Sequence, residues 1–433
     1  MVGDRLFDDA TVTDPFPYFA ELREQDPVHE VDGSGVFLVT RMELIKQIAA
    51  NTETFSNHYL GFIQRGDDDQ PYVLPLGRDD TADMQYVLAT ADPPDHARHR
   101  RVMQARLSPT AVETLVPTLR TFADALLADG VRDGRIEWMS AFAEQLPMRA
   151  IARLLEVPDA TIPQMLEFGY ASGERISGLA TRERLAELDQ IAYEAAGKFV
   201  LDTYAQRGTR GDSLVGDVFA AVERGEINEM EALAMLTVVV IAGGESTTSL
   251  IGNAALILAT DAALQQRLRD DPALIPAFVE EALRVHPSFR NHYRLVTTDT
   301  ELAGVRIPRG SHLALLWPAA NRDPDAFEAP DTIDIHREKP RSHVGFGWGI
   351  HLCIGAPLAR AEARIAIETL LEQTTSVELD TNAEPPEYIP SLMVRRLRNL
   401  PLALHAGVTS AEHLGSGPVA PPETSEAPPK RGS

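Results

Sequence analysis

The sequence contains one cysteine, Cys353, among 433 residues. A single cysteine excludes an internal disulfide and a zinc site built from several cysteines. Long apolar runs are also lacking, because the longest, Leu236 to Ala242, is far too short to cross a bilayer. The N-terminus begins with charged residues instead of an apolar signal. We therefore expect a cytoplasmic protein without a membrane anchor.

Basic residues are few. Forty Lys and Arg stand against 64 Asp and Glu, which gives a net charge of −24. This balance disfavours binding to nucleic acid or to an anionic membrane surface. With 44% hydrophobic and 24% charged residues, the composition is that of a globular protein with a substantial core.

Apolar residues recur mainly at helical spacing. They predict helices over 115–262, 275–284 and 358–371. Short runs at 36–40, 302–307 and 312–316 predict strands of small sheets. The chain is therefore expected to be mainly α with small β-sheets.

The predicted organisation is one folded domain over residues 1–405. Residues 406–433 are rich in Pro, Ser and Gly, which predicts a disordered tail. The acidic stretch from Gly61 to Asp83 contains Gly and Pro, and we expect it to be a long loop.

One long helix is predicted to cross the centre of the protein. Asn228 and Glu231 match a capping box, and an apolar segment without proline continues to Thr260. At 1.5 Å per residue, this helix would be about 50 Å long. The segment Gly243–Thr248 interrupts it with two glycines, a carboxylate and three hydroxyls. Two interpretations stay open: a structural kink with hydroxyls bonded to carbonyls, or a functional site.

The strongest motif surrounds the cysteine. Three alternating glycines lie between Gly345 and Gly349, and Pro357 suits the first turn of a following helix. Cys353 is thus predicted near a helix N-terminus, where the macrodipole and free amides lower the pKa of a thiol and favour thiolate. A thiolate either ligates a metal or attacks an electrophile.

Phe346, Gly349, Cys353 and Gly355 together resemble the haem-binding signature of the cytochrome P450 monooxygenases. The resemblance extends over about residues 10–405, with the motifs in the expected order. It implies the family's triangular-prism fold, a haem b cofactor and Cys353 as the axial ligand of the iron. An axial thiolate favours cleavage of the O–O bond over reversible oxygen binding.

Further motifs resemble those of the same family. Residues 281–284 look like its Glu-x-x-Arg pair, 321–337 like its meander segment and 242–247 like its oxygen-activation motif. By spacing alone, Glu281 and Arg284 form an ordinary i,i+3 pair. The resemblance implies instead a buried ion pair, shared with Arg337, that supports the haem-binding loop.

The resemblance also implies the groups that neutralise the two haem propionates. These basic residues are His96, Arg100, Arg294 and His351. Each is, by itself, a typical surface residue. As a set, they would offset the cost of burying two carboxylates.

Glu245 and Ser246 occupy the family's acid and hydroxyl positions and are expected to relay protons. The family usually has Thr where this chain has Ser246, so the methyl group and its stiffness at χ1 are lost. Thr247, about 100° further around the helix, is a poor substitute.

Three functions are possible for such a protein: an O2-dependent monooxygenase, a peroxide-driven or non-hydroxylating relative, or a haem protein that only binds small molecules. The intact acid and hydroxyl pair argues against the third.

One cysteine cannot hold an iron–sulfur cluster, and no flavin module is expected, so we expect electrons to come from separate proteins. The resemblance implies a ferredoxin and its reductase, docking on the cysteine side near Arg98, Arg101 and Arg341, with the enzyme a monomer. O2 and a small organic molecule are the expected substrates.

The residues expected to line the substrate pocket are Val239, Gly243, Arg290 and Asn291. Arg290 would suit an anionic or strongly polar substrate. Its turning away to another partner is an equally open alternative.

Overall fold

In a computed structural model, residues 2–59, 61–75, 86–205 and 213–405 are described. The predicted tail at 406–433 and the last part of the predicted loop, 76–83, lie outside these residues. Within them, the structure confirms a mainly α architecture with small β-sheets.

The helices form most of the protein. They are α1 (Asp9–Thr13), α2 (Phe16–Gln25), α3 (Met42–Ala50), α4 (Asp95–Leu107), α5 (Pro109–Gly130), α6 (Gln145–Leu155), α7 (Ile162–Arg175), α8 (Arg182–Ala205), α9 (Leu214–Glu223), α10 (Glu229–Thr260), α11 (Ala262–Asp270), α12 (Ile275–Val285), α13 (Trp317–Asn321) and α14 (Ala356–Glu372).

The strands are short. They are β1 (Val28–Val31), β2 (Val36–Val39), β3 (Phe55–Ser56), β4 (Gly61–Arg65), β5 (Pro71–Pro75), β6 (Arg135–Glu137), β7 (Asn291–Val296), β8 (Thr300–Leu302), β9 (Val305–Ile307), β10 (His312–Leu316), β11 (Ser376–Leu379), β12 (Glu387–Tyr388), β13 (Leu397–Asn399) and β14 (Pro401–His405). The largest sheet has the order β1-β2-β10-β7-β3, in which only β2 and β10 pair in parallel.

The central helix α10 begins as predicted. The Glu231 amide donates to Asn228 Oδ1 at 2.9 Å, and the Asn228 amide donates to Glu231 Oε2 at 2.7 Å. Both halves of the capping box are therefore present, and they satisfy two amides that the helix leaves free. By length and composition, α10 would also suit a membrane span, but 56% of its most apolar window is buried inside the protein. It is the core helix around which α6, α7, α12 and α14 pack.

Helix α10 is continuous through Gly243 and Gly244. The two glycines let α6 approach closely: a Cβ on Gly243 would lie 2.6 Å from the Ile151 Cδ1, and one on Gly244 would lie 2.6 Å from the Met148 Cε. They therefore serve helix packing, and a kink at this segment stays a prediction.

The prediction of a long loop at 61–83 is wrong for residues 61–75. Strands β4 and β5 form an antiparallel hairpin, with Gly61 opposite Pro75. The turn closes through the Gly66 amide, which donates to the Gln70 carbonyl at 2.8 Å. Gly61 lacks the Cβ that would otherwise overlap the Leu74 carbonyl. The acidic residues lie in the turn, whereas the residues of the two strands are largely apolar. The acidic composition of the whole stretch therefore predicted a loop where a strand pair forms.

Candidate active site

The cysteine loop is held by its own backbone. The Cys353 amide donates to the Phe346 carbonyl at 2.9 Å, and Gly347 and Gly349 adopt φ of +76° and +74°. Gly349 does not face the cavity at Cys353. A Cβ there would lie 2.8 Å from the Ala49 carbonyl of α3. Gly349 therefore sets the packing of the loop on α3, which corrects its prediction as a cofactor contact.

Cys353 is exposed, but to an internal cavity that it lines together with Phe346 and Gly355. Burial within the protein raises the pKa of the Cys353 thiol, and the Gly355 amide and the Arg100 guanidinium oppose this only in part. The sequence predicted a lowered pKa. That prediction is wrong for the protein alone, because removal from bulk water outweighs the amides at the helix start.

The four predicted basic residues all line the same cavity. The rings of His96 and His351 lie 4.2 Å apart, and Arg100 donates to the Leu352 carbonyl at 2.7 Å. Both ring nitrogens of His351 and the Arg294 Nε are buried without a hydrogen-bond partner. Within the described residues, no carboxylate lies within ion-pair distance of Arg294. Unpaired donors of this kind suit a ligand with carboxylates, which is what haem propionates provide.

The predicted ion pair beneath the loop is fully buried. Both Glu281 and Arg284 have side chains with 0% exposure, and Arg284 Nε donates to Glu281 Oε1 at 2.7 Å. Arg337 Nε donates to the same oxygen at 2.9 Å. Burial alone would raise the pKa of Glu281, but hydrogen bonds from Arg284 and the Asp334 amide outweigh it and lower that pKa. Glu281, Arg284 and Arg337 therefore form one connected group of ion pairs, and their role in supporting the loop stays a prediction.

This ion pair connects directly to the cysteine loop. Arg284 donates to the Asn321 carbonyl at 2.9 Å, and the Asn321 side-chain oxygen accepts from the Val344 amide at 2.8 Å. A second support reaches Phe346, whose ring lies 4.4 Å from the Arg360 guanidinium, itself bound to Glu280. The loop that carries Cys353 is thus fixed from two sides.

On α10, the cavity is lined by two hydroxyls. Ser246 donates to the Ala242 carbonyl at 2.7 Å, and Thr247 lies beside it on the same cavity wall. Thr247 thus lines the cavity although it lies about 100° further around the helix, and its being a poor substitute for Ser246 stays a prediction.

Glu362 of α14 also lines this cavity, and the sequence analysis missed it. Burial raises the pKa of Glu362 well above its usual range, and a hydrogen bond with Thr247 opposes the rise only in part. Its Oε1 has no hydrogen-bond partner among the described residues. The protonated form of Glu362 is therefore favoured more than it is for a carboxyl group in water, and the group lies next to a hydroxyl on the cavity wall.

Glu245 does not line the cavity. Its Oε1 accepts from Arg396 at 3.1 Å, and Arg396 also contacts Glu144 at 3.4 Å. Burial raises the pKa of Glu245, and Arg396 opposes that rise. Gly173 of α7 leaves the space that this carboxylate occupies. The predicted acid therefore lies against Arg396 and Gly173, outside the cavity lining, in this conformation.

Of the predicted substrate residues, Val239 and Gly243 line the cavity, whereas Arg290 and Asn291 do not. Arg290 is 2% exposed and donates to the Val12 carbonyl at 2.7 Å. Asn291 donates to the Leu392 carbonyl at 2.8 Å. The prediction that these two residues meet substrate is corrected, because both side chains tie chain segments together away from the cavity.

Comparison with known proteins points in one direction. The sequence model described as Cytochrome P450 matches residues 212–401. Cytochrome P450 144 of Mycobacterium tuberculosis is 36% identical over 402 residues, which is 93% of this chain and 92% of that protein. Vitamin D(3) 25-hydroxylase of Pseudonocardia autotrophica is 32% identical, over 92% of this chain and 96% of its own.

Among solved structures, CYP109E1 from Bacillus megaterium in complex with testosterone superposes with a TM-score of 0.79. It is 28% identical in sequence, and the match covers 91% of this chain and 98% of that one. The overall fold is therefore shared along nearly the whole length of both proteins.

Proposed function

Because the chain belongs to the cytochrome P450 family and is a haem-dependent monooxygenase, we propose that it inserts one oxygen atom of O2 into a largely apolar organic molecule. The electrons would come from a separate ferredoxin and its reductase. The observation that carries the proposal is that Cys353 and Ser246 share one cavity. When haem is bound with an axial thiolate, it would supply the chemistry that cleaves the O–O bond of O2.

The cofactor is haem b, and we propose which residues hold it. Cys353 would be the axial ligand, and Phe346 and Gly355 would line the cofactor beside it. His96, Arg100, Arg294 and His351 would bind the propionates. The unpartnered nitrogens of Arg294 and His351 support this assignment, because buried donors without a partner are otherwise rare.

The proposed substrate is a largely apolar molecule. Around Val239 and Gly243, the cavity wall continues with Ile151, Val238 and Leu250, none of which carries a polar side chain. The reason for expecting an anionic substrate was Arg290, and its guanidinium donates to the Val12 carbonyl instead. The relatives named above are a vitamin D(3) hydroxylase and an enzyme crystallised with testosterone, and both names suit an apolar, polycyclic substrate class.

For proton delivery, we propose a relay that ends at the Ser246 hydroxyl. Thr247 and Glu362 lie on the same cavity wall, and burial raises the pKa of Glu362, which supports a proton-holding group there. Glu245 would supply protons from the side of Glu144, after its carboxylate leaves Arg396.

We expect Ser246→Ala to lower the coupled rate by about 10²- to 10⁴-fold, the usual range for lost acid–base assistance, and to divert reducing equivalents to hydrogen peroxide. Product formed per NAD(P)H consumed is the measurement. Ser246→Thr should preserve or improve coupling. Thr260→Ala is a matched control, because Thr260 also donates to the carbonyl four residues earlier but lies at the exposed end of α10. Equal coupling in Ser246→Ala and the parent would remove Ser246 from the relay.

The ferredoxin is proposed to dock over the cysteine loop. Ile350 is exposed and does not line the cavity, and Lys46 lies 4.2 Å from the Trp348 ring. Arg101 is exposed on α4. Two of the arginines predicted for docking already have acidic partners: Arg98 binds Glu231, and Arg341 binds Glu280. Arg101 is therefore the best of the three for contact with an acidic partner.

We expect turnover with NAD(P)H to require ferredoxin and its reductase. Arg101→Glu should raise the KM for ferredoxin several-fold, because a charge reversal weakens an electrostatically steered encounter. The same variant driven by hydrogen peroxide should match the parent, because no protein partner is then needed. An unchanged KM for ferredoxin would place the docking surface elsewhere.

A second candidate is a peroxide-driven or non-hydroxylating enzyme of the same family, and Ser246 is the observation that favours it. Parent protein that turns over with hydrogen peroxide but not with NAD(P)H and electron-transfer partners would establish this candidate.

We further propose that the enzyme is monomeric and cytoplasmic, with residues 1–405 as one domain.

A further inference from the structure

His292 is a cavity residue that neither the sequence analysis nor the family motifs singled out. It lies on β7, two residues before Arg294, so both side chains project from the same face of the strand. Both line the cavity that contains Cys353. The Phe289 ring packs against His292 with its centroid 4.9 Å away.

Trp317 determines which nitrogen of His292 carries the proton. The Trp317 Nε1–H lies 2.8 Å from His292 Nδ1. An indole nitrogen only donates, so Nδ1 must accept. Burial, assisted by the charge of Arg294, lowers the pKa of His292 to about 4, so the ring is neutral at pH 7. Its single proton is then on Nε2, and no described residue accepts a hydrogen bond from that nitrogen.

The free N–H belongs to a group of donors that lacks an acceptor. His351 and Arg294 line the same cavity as His292, and both ring nitrogens of His351 and the Arg294 Nε are unpartnered. The His292 Nε2–H and the Arg294 Nε–H are therefore both donors, and a ligand that satisfies them must accept hydrogen bonds. Carboxylates accept hydrogen bonds strongly from donors held in place.

We propose that His292 Nε2–H is a further donor to a haem propionate, and that Trp317 is a positioning residue that fixes the donating tautomer. This inference rests on the proposed haem site. A substrate oxygen is the other acceptor that the cavity admits, and the test separates the two.

The test compares haem loss in holoenzyme variants, measured by transfer to excess haem scavenger. His292→Leu should release haem at least tenfold faster, because a hydrogen bond to a charged group is lost. His292→Gln should stay within about twofold of the parent, because the Gln amide also offers an N–H. The rate of haem loss from Trp317→Phe should lie between the rates for His292→Leu and His292→Gln, because the imidazole remains but either tautomer of it is allowed.

The tautomer itself is read by ¹⁵N NMR of histidine in the diamagnetic, reduced CO form. The parent should show His292 protonated at Nε2 only, and Trp317→Phe should show a mixture. Equal rates of haem loss in the parent and His292→Leu would overturn the inference, and weaker substrate binding with unchanged haem loss would assign the N–H to substrate. Parent protein that binds no haem at all would instead refute the proposed function.

Discussion

Cys353→Ser is expected to abolish the strongly red-shifted Soret band of the reduced, CO-treated protein while leaving the chain folded. The chain has no second cysteine, so no other thiolate can replace the one removed. The side chain faces a cavity instead of the packed core, so a change from sulfur to oxygen costs little packing.

Absorption spectra of the variant and the parent, recorded on samples with equal haem content, provide the measurement. Circular dichroism and thermal unfolding serve as the control for folding. A red-shifted band that survived in folded Cys353→Ser would refute the ligand assignment outright.

Glu281→Ala is the second large effect: we expect loss of soluble protein and of haem together. The substitution leaves Arg284 and Arg337 buried around a missing carboxylate. Breaking a buried ion pair by removing one partner costs about 3–5 kcal/mol, which is a large part of a typical stability of about 5–15 kcal/mol. Arg284→Ala should behave in the same way, because it leaves the Glu281 carboxylate buried.

A matched control is available on α8. Arg184 and Glu187 have the same i,i+3 spacing but are exposed, so Glu187→Ala should change the free energy of unfolding far less than Glu281→Ala does. Yield of soluble protein, haem content and denaturant unfolding are compared across the three variants. Normal haem loading and stability in Glu281→Ala would show that the pair does not support the cysteine loop.

The features predicted best from the sequence are those set by local chemistry. The α10 start follows from the capping box of Asn228 and Glu231, and the long helix follows from continuous apolar residues without proline. The glycines and Pro357 likewise predicted a tight loop that leads into α14. These signals depend on neighbours in the chain, so a single sequence contains them.

The directions of individual side chains were not predictable in this way. Arg290 precedes a strand that does contact the cavity, yet its guanidinium reaches Val12, which is 278 residues away in the chain. Glu245 is adjacent to Ser246, but its carboxylate binds Arg396 and does not line the cavity. In both cases a partner distant in sequence decides the orientation, and no local pattern identifies that partner.

Glu362 is different, because a signal for it was present. It lies four residues after Leu358 and four before Ala366, both buried, so it falls on the apolar stripe of α14. A carboxylate at such a position is costly to bury without a function or a partner. Attention to polar residues within apolar stripes would have identified it from the sequence.

The central claim is that Cys353 ligates a haem iron in the cavity it shares with Ser246. The most direct measurement is the absorption spectrum of the purified parent protein after reduction by dithionite and addition of CO, together with its haem content. We predict about one haem per chain and the strongly red-shifted Soret band of a thiolate-ligated iron. Haem-loaded, natively folded protein that lacks this band would contradict the claim.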